Sequence, residues 1–202
     1  MKRKKGRDSL AQELKRQLVH VSGIVFVLSL IHLGKSMTVI LTGIALLIAI
    51  LIAIHIREKK RIIWPLKIIS RMEKRLQNWA GGFERPGELP MGGAITYGLG
   101  VIFTLELFAP ELAVPAILVL ALADSASTLV GRRLGRNKLF INRKKSWEGS
   151  TAFLVACFVV LLFFANPTKA IAVAVLVTIV EAMPKIDDNI SIPIAVALLL
   201  SF

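Results

Sequence analysis

Seven long apolar blocks constrain this chain more than any other feature of its sequence. Most are about 17–20 residues long, enough for a helix to cross a hydrocarbon core of about 30 Å; the last is shorter. Because lipid offers no hydrogen bonds to a backbone, each block is predicted to be helical. The blocks cover residues 17–33, 36–56, 91–108, 112–130, 149–165, 168–184 and 190–202. The sequence therefore predicts an all-α, polytopic membrane bundle of about seven helices, built as one domain over residues 1–202.

The distribution of positive charge predicts how this bundle is oriented. The chain has 26 Lys and Arg residues against 13 Asp and Glu, a formal net charge of +13. With a cytoplasmic N-terminus, all of these cations except Lys35 and Lys169 fall in inner segments. The positive-inside rule thus gives one orientation for every loop, with the N-terminus inside and the C-terminus outside. The charge then requires no nucleic-acid partner, and it suits anionic membrane lipids and a phosphate-rich substrate.

A separate amphipathic pattern fills part of the second inner segment. Between residues 62 and 80, apolar side chains recur every three or four positions, and basic side chains lie on another side. Pro65 suits the first turn of a helix, and Trp64 and Trp79 bracket the segment. Such a helix lies in the plane of the membrane interface, with its cations toward the headgroups. The pattern predicts an interfacial helix over 62–80, for which surface anchoring is favoured over a part in catalysis.

Two acidic residues interrupt the apolar blocks near the inner ends of predicted spans. They are Asp124 in the fourth block and Glu181 in the sixth. Because an ionisable side chain at the centre of a span costs about 2.5–3.5 kcal/mol on insertion scales, each such residue marks a candidate functional site. Ser127 and Gly131 follow Asp124 at i+3 and i+7, on one face of a helix. A polar stripe that joins helices by hydrogen bonds is the alternative to a site.

The inner loop at residues 131–150 combines three glycines with seven cations. Glycine lets a backbone approach a phosphate closely, and Lys and Arg neutralise its charge. The loop lacks the GxxxxGK[ST] spacing of a Walker A loop. Glu148 is more informative than the charge, because Mg²⁺ binds through one or two carboxylates together with phosphate oxygens. The alternative for Glu148 is an acid that favours the N-terminal end of a helix dipole.

Two further groups of polar residues lie on the inner side. Asp187, Asp188 and Asn189 form a run of hard oxygen donors at the start of the last block. One helix cap needs one such residue rather than three, so metal or nucleotide binding stands beside N-capping as an explanation. His20 lies near the inner end of the first block, where it can relay a proton. A hydrogen-bonded structural histidine explains His20 equally well.

Four segments, in order along the chain, resemble the CTP-dependent lipid-alcohol kinases: dolichol kinase, phytol kinase and the CTP-using diacylglycerol kinase. The segments are ELKRQLVHVSG at 13–23, ELPMGGAITYGLG at 88–100, ADSASTLVGRRLGRNK at 123–138 with KKSWEGS at 144–150, and EAMPKIDDNISIPI at 181–194. The third is similar to the nucleotide-binding signature of the family. Ala123 departs from the pattern, which has glycine before the aspartate. The chain is shorter than eukaryotic dolichol kinases, which fits a prokaryotic cell membrane, an archaeal one included.

The resemblance implies transfer of the γ-phosphate of CTP to a membrane lipid alcohol (a polyprenol, dolichol or shorter isoprenoid alcohol) at the cytoplasmic face. It implies Mg²⁺ or another divalent cation, and catalytic roles for Asp124, Glu148 and His20. The implied nucleotide-binding residues are Ser127, Gly131, Arg132, Arg133, Gly135, Lys144, Lys145, Ser146 and Gly149. The implied substrate-binding residues are Gly92, Gly93, Thr96 and Tyr97. The implied metal ligands are Asp124, Glu148, Glu181, Asp187 and Asp188.

Two other functions stay open on the sequence alone. A cytidylyltransferase that makes a CDP-lipid from CTP and a phosphorylated lipid would use the same acids and cations. A small transporter would use Asp124 and Glu181 as a polar path. Against the transporter, Glu106 is the one acid of the predicted spans that lies in the outer half, so no path across the membrane is visible.

Overall fold

The computed structural model describes residues 23–58, 91–183 and 187–202. Regular structure in these ranges is helical, apart from one isolated antiparallel bridge between Lys138 and Ser146. The six helices are α1 (Gly23–Glu58), α2 (Gly92–Leu107), α3 (Pro110–Arg133), α4 (Trp147–Leu161), α5 (Pro167–Ala182) and α6 (Asp188–Leu200). The prediction of an all-α fold is confirmed. His20 and the predicted interfacial helix at 62–80 lie outside the described residues.

The ends of the helices follow from local chemistry. Pro110 and Pro167 stand in the first turns of α3 and α5, where the missing N–H of proline costs no hydrogen bond. Ser146 caps α4 by accepting a hydrogen bond at 3.2 Å from the backbone N–H three residues on. Asp187 caps α6 by accepting one at 3.0 Å from the N–H of Asn189. Both capped ends border the site described below.

α1 bends sharply at Gly34, between the first two predicted spans. The φ of 78° and ψ of 173° at Gly34 lie in a region that residues with a side chain avoid. Beyond the bend, the Thr38 hydroxyl donates to the Gly34 carbonyl at 2.9 Å and lies 3.0 Å from the Ser29 hydroxyl. Residues nine apart in a straight helix are separated by about 13–14 Å along the axis. The two arms of α1 therefore turn back toward each other at this glycine.

α3 lies at the centre of the bundle and packs against α1, α2, α4 and α6. Small side chains let helices approach closely, which is typical of membrane bundles. Ala116 and Ala123 of α3 are fully buried in the same core as Phe153 of α4. The buried side of α3 continues into Asp124 and Ser127. The apolar core thus leads directly into a polar region at the C-terminal end of α3.

Two described helices are long and apolar enough to cross a membrane, by length and composition: residues 23–54 within α1, and α3. The shorter apolar helices are Gly92–Leu107, Trp147–Leu161 and Asp188–Leu200. α1 exposes large apolar side chains along its length, among them Val25 at 62% and Ile31 at 63%. A contiguous apolar surface of this kind is unfavourable in water and fits contact with lipid. These findings agree with a membrane protein, and the number of seven spans stays a prediction.

Candidate active site

A buried carboxylate, Glu181, is the centre of a polar cluster at the end of α5. Its side chain is 1% exposed. The hydroxyl of Ser127 donates to Glu181 Oε1 at 2.9 Å, and the hydroxyl of Ser150 donates to Oε2 at 3.1 Å. Lys145 Nζ lies 2.7 Å from the same Oε1. A charge removed from water needs both a counterion and hydrogen bonds, and Glu181 has both.

Lys145 joins Glu181 to a second carboxylate, Asp188, at the start of α6. Its Nζ lies 2.7 Å from Asp188 Oδ2 and also donates to the backbone carbonyl of Glu181. Burial disfavours the charged form of lysine, but the attraction of Asp188 and Glu181 outweighs it and raises the pKa of Lys145. Lys145 is therefore a cation that ties the ends of α5 and α6 together.

Burial shifts the pKa of Asp188 toward neutral pH. Burial raises its pKa from the ordinary value of 3.8 to about 6, and the ammonium of Lys145 opposes the rise. The negative charges of Asp124 and Glu181 act in the same direction as burial. Asp188 therefore loses its negative charge as the pH falls through about 6.

Asp124 completes the cluster from α3. It is 9% exposed, and its charge interacts with that of Asp188 on α6 and with Tyr97 on α2. Carboxyl groups from α5 and α6 therefore contact one ammonium, and the carboxylate of Asp124 on α3 acts on Asp188 beside them. We call Asp124, Lys145, Glu181 and Asp188 the acid–lysine cluster. The cluster joins both acids that the sequence singled out within the apolar blocks.

The loop between α3 and α4 is fastened beside the cluster. The N–H of Leu139 donates to the carbonyl of Lys145 at 3.1 Å. Glu148 Oε1 accepts hydrogen bonds from the backbone N–H groups of Arg136 and Asn137, each at 3.1 Å, and from Asn137 Nδ2 at 3.2 Å. Glu148 thus positions the loop that carries Lys145. Its catalytic and metal-binding roles stay predictions.

The glycines of this loop pack against the protein itself. A Cβ at Gly135 would lie 2.1 Å from the carbonyl oxygen of Gly131 and 2.5 Å from Ser146 Oγ. A Cβ at Gly149 would lie 3.1 Å from the carbonyl oxygen of Ser127. Close packing of α3, α4 and their loop therefore explains the small residues at positions 135 and 149. This requirement is independent of any contact between the glycines and a phosphate.

We expect Gly135→Ala to lower stability whether or not a nucleotide is present. The added methyl group overlaps backbone and side-chain atoms, and overpacking of this kind costs about 1–3 kcal/mol. The midpoint of thermal unfolding in detergent measures the effect. Gly93→Ala on α2 is the matched control, because nothing lies within 4 Å of a Cβ at that position. Equal midpoints for Gly135→Ala and the wild type would show that this glycine serves a ligand alone.

The predicted substrate residues of α2 lie beside α1 and α6. Thr96 Oγ1 accepts a hydrogen bond from Asn189 Nδ2 at 2.9 Å, which ties α2 to the start of α6. Tyr97 is 3% exposed, and its ring centroid lies 6.2 Å from that of Phe26. The Tyr97 hydroxyl packs against Gly23, where a Cβ would lie 2.0 Å from it. Tyr97 is thus enclosed between α1 and α2, and a ligand would reach Thr96 more directly.

The remaining predicted residues lie at the rim of the site. Gly92 and Gly93 open α2, and Gly93 is exposed. Asp187 is an exposed residue whose carboxylate caps α6, so the capping explanation accounts for its contacts. The exposed predicted cations are Arg132, Arg133 and Lys144. Their roles toward a nucleotide stay predictions.

Comparison with known proteins relates the chain to plant and cyanobacterial kinases. It is 32% identical to the probable chloroplastic phytol kinase of Zea mays, over 56% of this chain and 44% of that protein. It is 34% identical to the phytol kinase of Synechocystis sp., over 52% of this chain and 50% of that protein. The chain is a homologue of the phytol kinases. The resemblance to the lipid-alcohol kinases that the motifs predicted is confirmed.

A longer alignment extends this homology to almost the whole chain. Phytol kinase 1 of Arabidopsis thaliana is 25% identical over 95% of this chain and 67% of its own length. The maize and Synechocystis alignments span about half the length of those relatives. No protein-family model and no solved structure matches the chain.

At the site of this phytol kinase homologue, Ser150 was not among the predicted site residues, and Asn189 was predicted only as part of an oxygen-rich run. Ser150 donates to Glu181 across 31 positions of sequence, and Asn189 donates to Thr96 across 93. The sequence feature that could indicate a role for Asn189 is its place in an oxygen-rich run. For Ser150 the available feature is a polar side chain at the edge of an apolar block. Neither feature says which distant helix the side chain meets.

Proposed function

We propose that this phytol kinase homologue transfers the γ-phosphate of CTP to the hydroxyl of an isoprenoid alcohol at the cytoplasmic face of a membrane. The observation that carries the proposal is the acid–lysine cluster, set at the ends of apolar helices beside a loop with exposed cations. A long-chain alcohol presents its hydroxyl at a bilayer surface, and a nucleotide reaches that surface from water. The names of the relatives favour an alcohol like phytol over a polyprenol or dolichol.

The reaction forms one bond and breaks one. The alcohol oxygen bonds to the γ-phosphorus, the bond from that phosphorus to the β–γ bridging oxygen breaks, and CDP leaves. The proton of the hydroxyl needs an acceptor, and we assign that role to a carboxylate oxygen of Asp124. Because phosphoryl transfer depends mainly on positioning and on charge stabilisation, the other residues of the site act by holding the two substrates.

We assign the divalent cation to a single carboxylate of the acid–lysine cluster, acting together with the nucleotide. Within the described ranges, no three His, Cys, Asp or Glu side chains form a group able to hold a metal ion. Both oxygens of Glu181 accept hydrogen bonds from serines, whereas Lys145 contacts Asp188 through Oδ2, so we assign Asp188 as the cation ligand. Mg²⁺ often binds through one or two carboxylates and completes its shell with phosphate oxygens and water. When bound, Mg²⁺ would neutralise charge on the phosphates.

The exposed cations of the α3–α4 region suit the triphosphate. They are Arg132, Arg133, Arg136, Lys138, Arg143 and Lys144. Arg and Lys bind phosphate oxygens through charge-assisted hydrogen bonds, and the same cations would attract anionic lipid headgroups. Lys145 differs from its exposed neighbour Lys144 because carboxylates hold the ammonium of Lys145. We therefore assign phosphate contact to Lys144 rather than to Lys145.

The position of the label in the lipid product tests the proposed reaction. Purified protein in detergent receives CTP labelled at either the α- or the γ-phosphate, Mg²⁺, and a panel of alcohols from phytol to dolichol. We expect label in the lipid from γ-labelled CTP alone, with CDP as the second product and phytol-sized alcohols preferred. Parallel reactions with ATP, GTP and UTP as donors measure the preference for CTP.

Two outcomes would contradict the kinase. Transfer of the α-label from CTP onto a phosphorylated lipid substrate, with release of the β- and γ-phosphates of CTP as pyrophosphate, would establish the cytidylyltransferase instead. Flux of a solute through proteoliposomes without nucleotide, and no labelled lipid, would establish a transporter. The Asp124→Asn protein, prepared in the same way, controls for a contaminating kinase.

The proposed orientation makes a separate prediction about labelling. Phe140 lies in the predicted cytoplasmic loop and is 91% exposed, and Thr168 lies at the predicted outer end of α5 and is exposed. We expect an impermeant thiol reagent to modify Thr168→Cys in intact cells and Phe140→Cys only after permeabilisation. Cys157 is buried and gives little background. Modification of Phe140→Cys in sealed cells would reverse the assignment.

A further inference from the structure

The amide of Asn189 is held in a fixed orientation at the start of α6. Its Nδ2 donates to Thr96 Oγ1 at 2.9 Å. The hydroxyl of Thr96 in turn donates to the carbonyl of Gly93 at 3.3 Å, so Thr96 faces Asn189 as an acceptor. The NH₂ group of the amide points to Thr96, and the amide oxygen Oδ1 points away from it.

The backbone around Asn189 is also fixed. A Cβ at Gly100 would lie 1.9 Å from the carbonyl oxygen of Asn189, so α2 and α6 pack backbone against backbone at this point. The N–H of Asn189 donates to the capping carboxylate of Asp187 at 3.0 Å. Side chain and main chain are thus both held before any ligand arrives, which reduces the entropy that binding must offset.

Asn189 Oδ1 is a buried acceptor without a hydrogen bond. Asn189 is 9% exposed. Three side-chain oxygens in the described ranges are buried without a partner: Glu148 Oε2, Asn189 Oδ1 and Ser191 Oγ. Of the three residues, Asn189 is the most deeply buried as a whole residue. A buried polar atom that stays unpaired is unfavourable, so such an atom in a native structure calls for a donor from outside the chain.

The position of Asn189 indicates that a substrate of the reaction supplies the missing hydrogen-bond donor. The residue directly follows Asp188, whose carboxylate lies 2.7 Å from Lys145 Nζ in the acid–lysine cluster. We propose that Asn189 Oδ1 accepts a hydrogen bond from a substrate hydroxyl, and that Thr96 is the positioning residue that orients the amide. This inference rests on the proposed function. Two hydroxyls fit the chemistry: that of the acceptor alcohol and those of the nucleotide ribose.

Replacement of Asn189 by leucine, of similar size, tests the inference. We expect the KM for one substrate to rise by about tenfold, the effect of one ordinary hydrogen bond, and the KM for the other to stay unchanged. A higher KM for the alcohol assigns Oδ1 to the lipid hydroxyl. A higher KM for CTP, together with loss of discrimination between CTP and its 2′- and 3′-deoxy analogues, assigns it to the ribose.

Two variants of Thr96 test the positioning role. Thr96→Val keeps the shape of the side chain but removes the acceptor for Nδ2, and we expect it to raise the same KM as Asn189→Leu. Thr96→Ser retains the hydroxyl and should restore the wild-type KM. These variants also keep the test decisive if Asn189→Leu fails to fold. Unchanged KM values in Asn189→Leu and Thr96→Val would overturn the inference.

A binding measurement separates this inference from the proposed function. Equilibrium binding of tritiated phytol and of labelled CTP to the wild type and to Asn189→Leu requires no turnover. If the wild type forms no lipid phosphate, the proposed function fails, and the difference in binding still tests Oδ1. If the wild type transfers phosphate and both proteins bind both ligands equally, the inference alone fails.

Discussion

Replacing Asp124 by asparagine is expected to lower kcat for phosphoryl transfer by about 10²-fold or more, the scale of a lost acid–base group. Asparagine keeps the shape of the side chain but cannot take up the proton of the alcohol. Asp124 is 9% exposed on α3, so the change removes a negative charge from the acid–lysine cluster without opening a cavity. The initial rate of lipid phosphate formation at saturating CTP and alcohol measures the effect.

The control for Asp124→Asn is an acid at the other end of the same helix. Glu111 is exposed in the first turn of α3, and Glu111→Gln should retain wild-type activity. The thermal midpoint of Asp124→Asn should stay close to that of the wild type, because the amide still fills the site. Near-full activity in Asp124→Asn, together with loss of activity in Asp188→Asn, would contradict the proposed role of Asp124. The carboxylate of Asp124 would then have a structural role, and the catalytic residues would lie at the start of α6.

The fold could be predicted because its cause is local. Apolar blocks of membrane length have one regular backbone structure available to them, so their helices follow from composition alone. The two prolines that begin α3 and α5 give two of the starts, and Gly34 marks the bend of α1. How far each block extends across a membrane depends on lipid and on neighbouring helices, which composition does not give.

The candidate site could be predicted only in part, because its contacts are not local. An acid in an apolar block stands out by its cost, so Asp124 and Glu181 could be found. Their partners could not: Ser127 meets Glu181 across 54 positions, and Lys145 meets Asp188 across 43. These pairs exist because the C-terminal ends of α3 and α5 lie beside the start of α6. The spacing of residues within one helix carries no record of that packing.

Lys145 shows most clearly where sequence reasoning stops. Lys145 is one of seven cations in the segment 131–150. The basic composition of that segment favours contact of Lys145 with phosphate. In the structure its ammonium instead contacts Glu181 and Asp188, and its loop is fixed by Glu148. A lysine in such a position stabilises the negative cluster directly, whatever it does toward a nucleotide. That structural role can be tested without a substrate.

Replacing Lys145 by methionine is expected to lower the free energy of unfolding by about 3–5 kcal/mol, the cost of removing one partner of a buried ion pair. Methionine fills most of the space of the lysine stem but leaves Glu181, 1% exposed, and Asp188 without a counterion. Lys144→Met is the matched control, because Lys144 is exposed and precedes it directly; it should change stability by about 0.5 kcal/mol or less. The midpoints of thermal unfolding in detergent give the comparison.

The pH dependence of this loss identifies its cause as charge. The pKa of Asp188 is already raised to about 6, and removing the ammonium that opposes the rise moves it higher. A group whose pKa is raised on folding favours the folded state at low pH and loses that contribution as the pH rises through the folded value. Lys145→Met should therefore be destabilised less at about pH 5 than at about pH 8.

Adding Glu181→Gln to Lys145→Met should recover part of the lost stability, because the amide carries no charge that needs a counterion. A loss that is independent of pH and unchanged by Glu181→Gln would mean that Lys145 stabilises the fold by packing alone.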